Sequence, residues 1–473
     1  MLDQVRRVHL IGIGGIGVSA VARVLLARGF EVSGSDVRES QLTLGLRAEG
    51  ADVTIGHRAD LVLGKDLVVY STAIPATNPE LVAAREHGVP LRHRAEVLGA
   101  LLPAWRSIGV VGTHGKGTVS AMITRVLEAA KRSPSFIIGG LLLDYNTNAR
   151  VSPPKAGGSR GNVVVEIDES DGSLVHVRPD RLVVNNVEAD HLNYYKDLEA
   201  IYAMIHGVLA NEDGRELALL HVGDAGVRAV WDRLERPIRA LRFGFQEDLD
   251  GTAHGQAEVI GSNITLSALG SEFTVTYHGR ELGRVQLRVP GRYNAMNALA
   301  AVAAGLSYEL TFETIQAGLA SYSGIENRFT VVDAGPVRVV KDYTSHPTGM
   351  RRVIAAAKTL SDGPVVAVFK PYRFTMIHYL GDEYAVAFKQ ADKVVITELY
   401  TAGEVPIAGV DADWLVQKIR DTGTEVVFIP DMDEIPAHLS ATLKAGQQIV
   451  FFGGDDLFRL ADRFVTELRE THA

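Results

Sequence analysis

Gly112-Thr113-His114-Gly115-Lys116-Gly117-Thr118 lies between a short apolar run and a stretch of helical periodicity. Backbone N–H groups and a lysine in that arrangement cradle the phosphates of ATP. The segment departs from a full Walker A loop. Val110 stands at the first glycine's place, and Gly117 stands where a Mg2+-binding Ser or Thr belongs. A second glycine-rich turn, Gly12-Ile13-Gly14-Gly15-Ile16-Gly17, has the GxGxxG spacing, which lets backbone approach a diphosphate at a helix N-terminus. Asp36 closes the next apolar run at the distance suited to a ribose hydroxyl. This turn does not separate a nicotinamide dinucleotide from a UDP-sugar, and a tight turn with no ligand has the same glycines.

The third group is acidic. Glu166-Ile167-Asp168-Glu169-Ser170-Asp171 follows one apolar run, and Glu188-Ala189-Asp190-His191 follows another. Alone, each reads as a solvated loop. Beside a phosphate loop in the same sheet, carboxylates and an imidazole at strand ends suit Mg2+. His9 and His176 read as structural. A dehydrogenase would use only the first glycine turn and a simple ATPase only the second. An enzyme that holds a nucleotide-linked substrate and activates it with ATP uses both.

Alternating strands and helices must position these groups. Residues 8–13, 31–35 and 67–70 read as strands around a helix over 19–28 that ends at Gly29. A second unit has strands at 108–111, 162–167 and 181–184 and a helix over 118–130. Short alternating runs over 253–289 predict antiparallel hairpins, and 293–306 returns to helix. A third unit has strands at 338–342, 365–369, 393–397, 425–429 and 448–452. The stretch 155–162 reads as a mobile surface loop. The fold class is therefore α/β, with three doubly wound domains in series: Rossmann-like over 1–106, P-loop-type over 107–326 and Rossmann-like over 327–473.

Composition agrees with that count. The chain has 473 residues, and domains run to about 150 each. Hydrophobic residues at 46% and charged residues at 22% are those of a globular protein. The net charge of −9 disfavours generic nucleic-acid binding. The absence of cysteine excludes disulfides, thiolate metal sites and cysteine nucleophiles. Residues 1–15 read as a strand and not a signal peptide, and no apolar run reaches the ~20 residues of a membrane span. The expectation is a cytoplasmic protein, with no membrane partner, that is a monomer or weak homodimer.

Taken together, the motifs resemble the Mur ligase family over nearly the whole chain. HLIGIGGIGVSAVARVL with GFEVSGSD (9–36), STAIPATNPE (71–80) and RAEVLGAL (94–101) are similar to its first domain. GTHGKGT (112–118), IIGGLLLDYNTNAR (137–150), EIDESDGS (166–173), NNVEADHLNYY (185–195) and GRYNAMNALAA (291–301) are similar to its second. NRFTVV (327–332), DYTSHPT (342–348), PYRFT (371–375) and TAGEVPIAG (401–409) follow in the order of the third. The resemblance is nearest to the alanine-adding members. It implies an ATP-dependent amide ligase that joins L-alanine to the carboxylate of UDP-N-acetylmuramate through an acyl phosphate and releases ADP and phosphate. The first domain would bind the UDP-sugar, the second ATP and Mg2+, and the third the amino acid or amine.

By motif position, the resemblance implies a catalytic set of Lys116, Glu166, His191 and Arg328. Gly112, Thr113, Gly115, Lys116 and Thr118 would hold the phosphates. Asn294 would contact adenine, and Arg328 and Asp342 would reach ATP from the third domain. Glu166 and His191 would bind Mg2+, with Thr118 or water replacing the hydroxyl missing at Gly117. Gly14, Gly15, Gly17, Asp36 and Ser71 would line the UDP-sugar. His114, His346, Arg373 and Met376 would complete the substrate side.

The departures gather in the third domain. The family's DDYGHHPTE becomes KDYTSHPTG (341–349), and its PHRYTRTRDL becomes PYRFTMIHYL (371–380). The His, Arg and Arg near the amino-acid carboxylate become Tyr372, Arg373 and Met376, so only Arg373 survives. Methionine cannot replace a bidentate guanidinium. The later GAGD motif becomes FGGD (452–455). Three accounts stand: drift within an alanine ligase, a paralogue that joins another amine, or a nucleotide-binding protein with weak or no ligase activity.

Overall fold

A computed structural model describes residues 1–153, 160–170, 172–192, 194–211, 213–251 and 257–471. Most of the surface loop expected over 155–162 lies outside the described residues. The N-terminal sheet has five parallel strands, β1 (Arg7–Ile11), β2 (Glu31–Asp36), β3 (Asp52–Ile55), β4 (Leu67–Tyr70) and β5 (Leu91–His93), in the order β3-β2-β1-β4-β5. The order reverses between β1 and β4, where an open α/β sheet forms its ligand crevice. β1 is a run of buried residues, VHLI, and the Gly12 turn leaves its carboxyl end. The helix Ile16–Ala27 follows and ends with Gly29 at φ 82, as expected.

The central sheet has ten strands: β6 (Trp105–Val111), β7 (Ser135–Leu142), β8 (Thr147–Arg150), β9 (Gly161–Glu166), β10 (Arg181–Val184), β11 (Leu217–His221), β12 (Ala240–Phe245), β13 (Val259–Ser267), β14 (Gly270–Tyr277) and β15 (Arg280–Leu287). Their order is β15-β14-β13-β12-β11-β10-β6-β9-β7-β8. The expected hairpins are β13–β15. They extend the central sheet, because β13 pairs in parallel with β12 before the meander turns antiparallel. Phe273 and Val275 of β14 point into the core shared with helices Lys116–Ala129 and Arg292–Ser307. The second of these helices is alanine-rich and buried along almost its whole length, so it reads as a core element and not a surface one.

The third sheet has β16 (Thr330–Ala334), β17 (Val337–Asp342), β18 (Val365–Phe369), β19 (Lys393–Ile396), β20 (Val426–Phe428) and β21 (Gln448–Phe452). Their order is β16-β17-β21-β18-β19-β20, and only β16 is antiparallel. β16 alternates half-buried and exposed residues at the sheet edge before the buried Ala334, which is why its pattern escapes a search for continuous apolar runs. Among the described residues no helix is long and apolar enough to cross a membrane. Gly12, Gly112, Glu166 and Asp342 sit at or just beyond the carboxyl ends of their strands, while Asn294 lies in a helix and Arg328 precedes β16.

Candidate active site

β6 delivers its chain into the loop at Gly112, which has φ 140. A Cβ there would lie 3.0 Å from the backbone N and O of Asn186. Gly115, at φ 78, is the N-cap of helix Lys116–Ala129, and a Cβ there would meet Asn297 Oδ1 at 2.4 Å. No side chain caps this helix, and its first turn holds no acid. Its N–H groups and positive pole are therefore left for an anion.

Asparagines brace the loop. Asn186 Oδ1 accepts from His114 N at 2.7 Å, and Asn186 Nδ2 donates to His114 O at 2.9 Å. Asn185 Nδ2 donates to His114 O and to Asn297 Oδ1, each at 3.1 Å. Sequence reasoning missed the bracing role of all three asparagines, although each stands inside a motif it quoted. Thr113 Oγ1 accepts from Glu188 N at 2.9 Å.

Lys116 Nζ donates to Gly112 O and to Glu169 Oε1, each at 2.8 Å. Burial opposes its charge. The carboxylates of Glu169, Asp168 and Glu166 more than offset that and hold the ammonium above the usual lysine range. Glu169, the lysine's anchor, is a further residue that sequence reasoning missed.

Glu166 ends β9, and its Oε2 accepts from Gly139 N at 2.6 Å. A Cβ on Gly117 would lie 3.1 Å from that same oxygen and 3.3 Å from Ile325 Cδ1. The hydroxyl of Thr118 is buried and bonded to Tyr322. His191 has φ 52, and its N–H donates to Asp190 Oδ1 at 2.6 Å. Burial works against the Asp190 charge, but His191 and His346 keep it below the usual carboxylate range.

Glu166, Asp190 and His191 open on one cavity of about 350 Å³ with the lysine loop. Asn294, Arg328, Asp342 and His346 line the same cavity. Asn294 is buried and donates to Pro290 O at 2.8 Å. Asp342 is buried, which pushes its carboxyl up, and it accepts from Phe329 N and Thr344 N at 2.8 Å each. Arg328 lies 4.0 Å away and is half-exposed.

His346 ties the third domain to the second. Its Nδ1 accepts from Thr348 N at 3.3 Å, so the proton sits on Nε2, which donates to Ala189 O at 3.0 Å. Its ring lies 4.6 Å from that of His114. Burial lowers His114 to about 4. Burial would raise Glu188, but its bond to His114 and the nearby Arg352 bring it down to about 2.

The first domain presents a separate seat. Gly14 N donates to Asp36 Oδ2 at 2.9 Å, so the carboxylate expected at a ribose also closes the glycine turn. Gly15 caps helix Ile16–Ala27, which lacks a side-chain cap and an acid in its first turn. A Cβ on Gly17 would lie 3.2 Å from Arg94 Nη1, and Arg94 Nη2 reaches Asp168 at 3.0 Å. Arg94 thus links this seat to the acidic loop behind Lys116. Ser71 follows β4, and its carbonyl accepts from Ile74 N at 3.1 Å. His9 is buried between Ser33 and Glu80, each at 3.0 Å, in the structural role its apolar setting predicts.

The expected acceptor residues are not gathered in one seat. Arg373, at φ 65, turns towards Glu404 Oε1 at 4.0 Å. Met376 packs against the apolar core of the third domain and, beside Asp190 and His191, lines a cleft of about 10 Å³. His346 is committed to Ala189.

Models of the Mur ligase family catalytic domain, the Mur ligase middle domain and the Mur ligase glutamate ligase domain match residues 7–106, 110–305 and 327–454. The chain is similar to the UDP-N-acetylmuramate–L-alanine ligase of Gloeobacter violaceus, at 40% identity over 96% of this chain and 94% of that one. It is similar to the Geotalea daltonii protein of the same name, at 36% identity over 99% and 100%. Among solved structures it resembles UDP-N-acetylmuramate-alanine ligase MurC from Thermotoga maritima, with a TM-score of 0.80, 26% identity and coverage of 98% and 99%.

Proposed function

The chain belongs to the Mur ligase family, and on that footing we propose that it joins L-alanine to the carboxylate of UDP-N-acetylmuramate at the expense of ATP. The names of relatives 34–40% identical over nearly the full chain support the choice of substrates. The observation that carries the reading is the shared cavity. Lys116, Glu166 and His191 form one side of it, and Arg328 and Asp342 of the third domain complete it.

A substrate carboxylate oxygen attacks the γ-phosphorus, and ADP leaves. The acyl phosphate is then attacked at its carbonyl carbon by the amine, which loses a proton as phosphate departs. Phosphoryl transfer of this kind depends on positioning and charge neutralisation. Lys116, fixed by Glu169, faces the β- and γ-phosphates, and the loop N–H groups of Gly112 to Thr118 face their oxygens. Asn294 meets the adenine, while Arg328 and Asp342 reach the nucleotide from the third domain. Gly14, Gly15, Gly17, Asp36 and Ser71 line the UDP diphosphate and ribose.

Mg2+ bound with ATP would be held by Glu166 and His191 and would supply further neutralisation. Carboxylate oxygens on the cavity wall fit that ion. Gly117 brings no hydroxyl, and Thr118, which lines the cavity and keeps its oxygen lone pairs beside the Tyr322 bond, or a water would supply that oxygen. His346 on Ala189 ties the third domain to the second beside the cavity. A nucleotide-sugar substrate and ATP place the reaction in the cytoplasm, and we read the enzyme as a monomer or weak homodimer.

The test is a ligation assay with purified protein, ATP, Mg2+, UDP-N-acetylmuramate and L-alanine, read by mass spectrometry. An alanyl adduct formed with stoichiometric ADP is expected. ATP turnover without adduct refutes the choice of amine. No turnover with any acid–amine pair refutes the ligase reading.

A further inference from the structure

We infer that Glu188 is a positioning residue that clasps the third domain onto the phosphate loop, so that the placing of one fixes the other. The inference rests on the ATP seat assigned above. It gives a role to an acidic residue that the cavity itself does not use.

Glu188 follows β10 in the same segment as Asp190 and His191. Among the described residues, those two line the cavity of about 350 Å³ and Glu188 does not. Its partners lie on two domains. From the phosphate loop, His114 Nε2 donates to Oε2 at 3.4 Å. The Glu188 backbone N–H donates to Thr113 Oγ1 of the same loop at 2.9 Å. From the third domain, the Thr348 hydroxyl donates to the carboxylate, and Arg352 Nη2 lies 3.6 Å from Oε1. Thr348 and Arg352 both belong to the helix Pro347–Lys358. One carboxylate thus joins the loop to the helix.

The helix lacks an acid of its own. Its first turn carries none, because Gly349 stands where the family's motif ends on Glu. A Cβ on Gly349 would stand 2.3 Å from Thr344 Oγ1, so a side chain there has no room. Glu188 brings a carboxylate to this positive pole from the other domain.

The donor atoms of His114, Glu188 and His346 lie within 4.8 Å of one another, close enough to share a metal ion. The hydrogen bonds of His346 favour a different reading. Its Nε2 proton goes to Ala189 O, and its Nδ1 lone pair faces Thr348 N. Both ring nitrogens are engaged within the protein, so the cluster is a hydrogen-bonded contact between domains.

Glu188→Gln, Arg352→Gln and the double variant test the clasp in the full-length protein. A hydrogen bond to a charged group is worth roughly ten- to hundredfold, and a partly exposed ion pair up to about fivefold. The kcat for ADP formation should therefore fall roughly tenfold or more in Glu188→Gln and about threefold in Arg352→Gln. The double variant should match Glu188→Gln alone, because the same contact is lost either way. The KM for the UDP-sugar, which the first domain holds, should not change.

Domain placement is read directly. The chain has no cysteine, so cysteines introduced at the exposed Glu235 and Lys389 carry one spin label on each domain. With ADP bound, pulsed electron resonance should give one narrow distance in the otherwise native chain and a broader distribution in each single variant.

Losses in kcat that multiply in the double variant would overturn the proposal. An unbroadened distribution in Glu188→Gln would also overturn it, by confining its effect to the loop. Should Glu188→Gln not fold, the half-exposed Arg352 decides alone, and an unbroadened distribution in Arg352→Gln overturns the clasp. A chain that ligates no amine refutes the ligase reading, yet the distances with ADP still test the clasp, so the two fail separately. Absence of ADP binding would remove the seat and this inference with it.

Discussion

Gly115→Ala separates backbone strain from the packing of the ATP loop. Gly115 sits at φ 78, where an L-residue costs about 1–2 kcal/mol. The new Cβ would also stand 2.4 Å from Asn297 Oδ1 and 3.0 Å from Asn185 Nδ2. These two atoms bond each other at 3.1 Å in a buried setting, so the methyl must part them. A buried polar group left unpaired costs about 1–3 kcal/mol. The expected loss of unfolding free energy is therefore about 2–5 kcal/mol. Gly29→Ala is the matched control, because Gly29 has φ 82 and nothing within 4 Å of where a Cβ would stand. It should lose only the backbone part. Urea unfolding of both variants gives the difference, and calorimetric titration of ADP reads the loop. Gly115→Ala should weaken ADP binding and Gly29→Ala should not. Equal stability of the two variants, or unaltered ADP affinity in Gly115→Ala, would refute the role given to Asn185 and Asn297.

Lys116→Met should destabilise by about 3 kcal/mol, because it leaves the buried Glu169 without its partner, Glu169→Gln should cost less because Asp168 and Glu166 still face the ammonium, and the double variant should lose less than the two singles together. Ligation should be abolished wherever Lys116 is absent, and stability near wild type in both singles would contradict the pair. Acidification should also destabilise the protein. His114 and His221 are lowered by burial to about 4, so their contribution is complete above the unfolded value of 6.5 and is lost as pH falls from there to 4. Each shift is worth about 3 kcal/mol. Asp224 is raised by burial to about 6 and acts oppositely, returning about 3 kcal/mol as pH falls from 6 to the unfolded value of 3.8. The three leave a net loss of about 3 kcal/mol between pH 6.5 and 4. His221→Gln should flatten this slope in equilibrium unfolding, and an unchanged slope would refute the assignment.

The parts legible in the sequence are those whose signal is local. A buried strand followed by glycines and a helix announces itself, as at 8–17 and 108–118, because backbone that must adopt positive φ or approach a neighbour admits little else. The acids at 166 and 188–191 were legible because they end apolar runs. Partners brought together by the fold were not. Glu169 lies 53 residues from Lys116, and Asp168 lies 74 from Arg94, so neither pairing leaves a trace in spacing. The hairpins of β13–β15 were visible as alternation, but their joining of the central sheet depends on β12, whose short apolar run carried no period. On the acceptor side, the structure sets the motif positions apart. Met376 packs on the third-domain core and lines a small cleft with Asp190 and His191, while Arg373 faces Glu404.

Position 117 shows how a departure from a motif is built into its surroundings. In a phosphate loop the residue after the lysine faces the metal, so a glycine there looks like a simple loss. Its neighbours say otherwise. Glu166 Oε2 sits 3.1 Å from where a Cβ would stand while accepting from Gly139 N, and Ile325 closes the other side at 3.3 Å. Gly139 is itself restricted, since a Cβ on it would meet the Glu166 carboxylate at 2.9 Å. Two glycines on different elements thus leave one carboxylate room to lie close over the helix N-terminus. There the positive pole and Lys116 favour its charge. The oxygen that a threonine would bring is absent, and a carboxylate oxygen lies beside the gap.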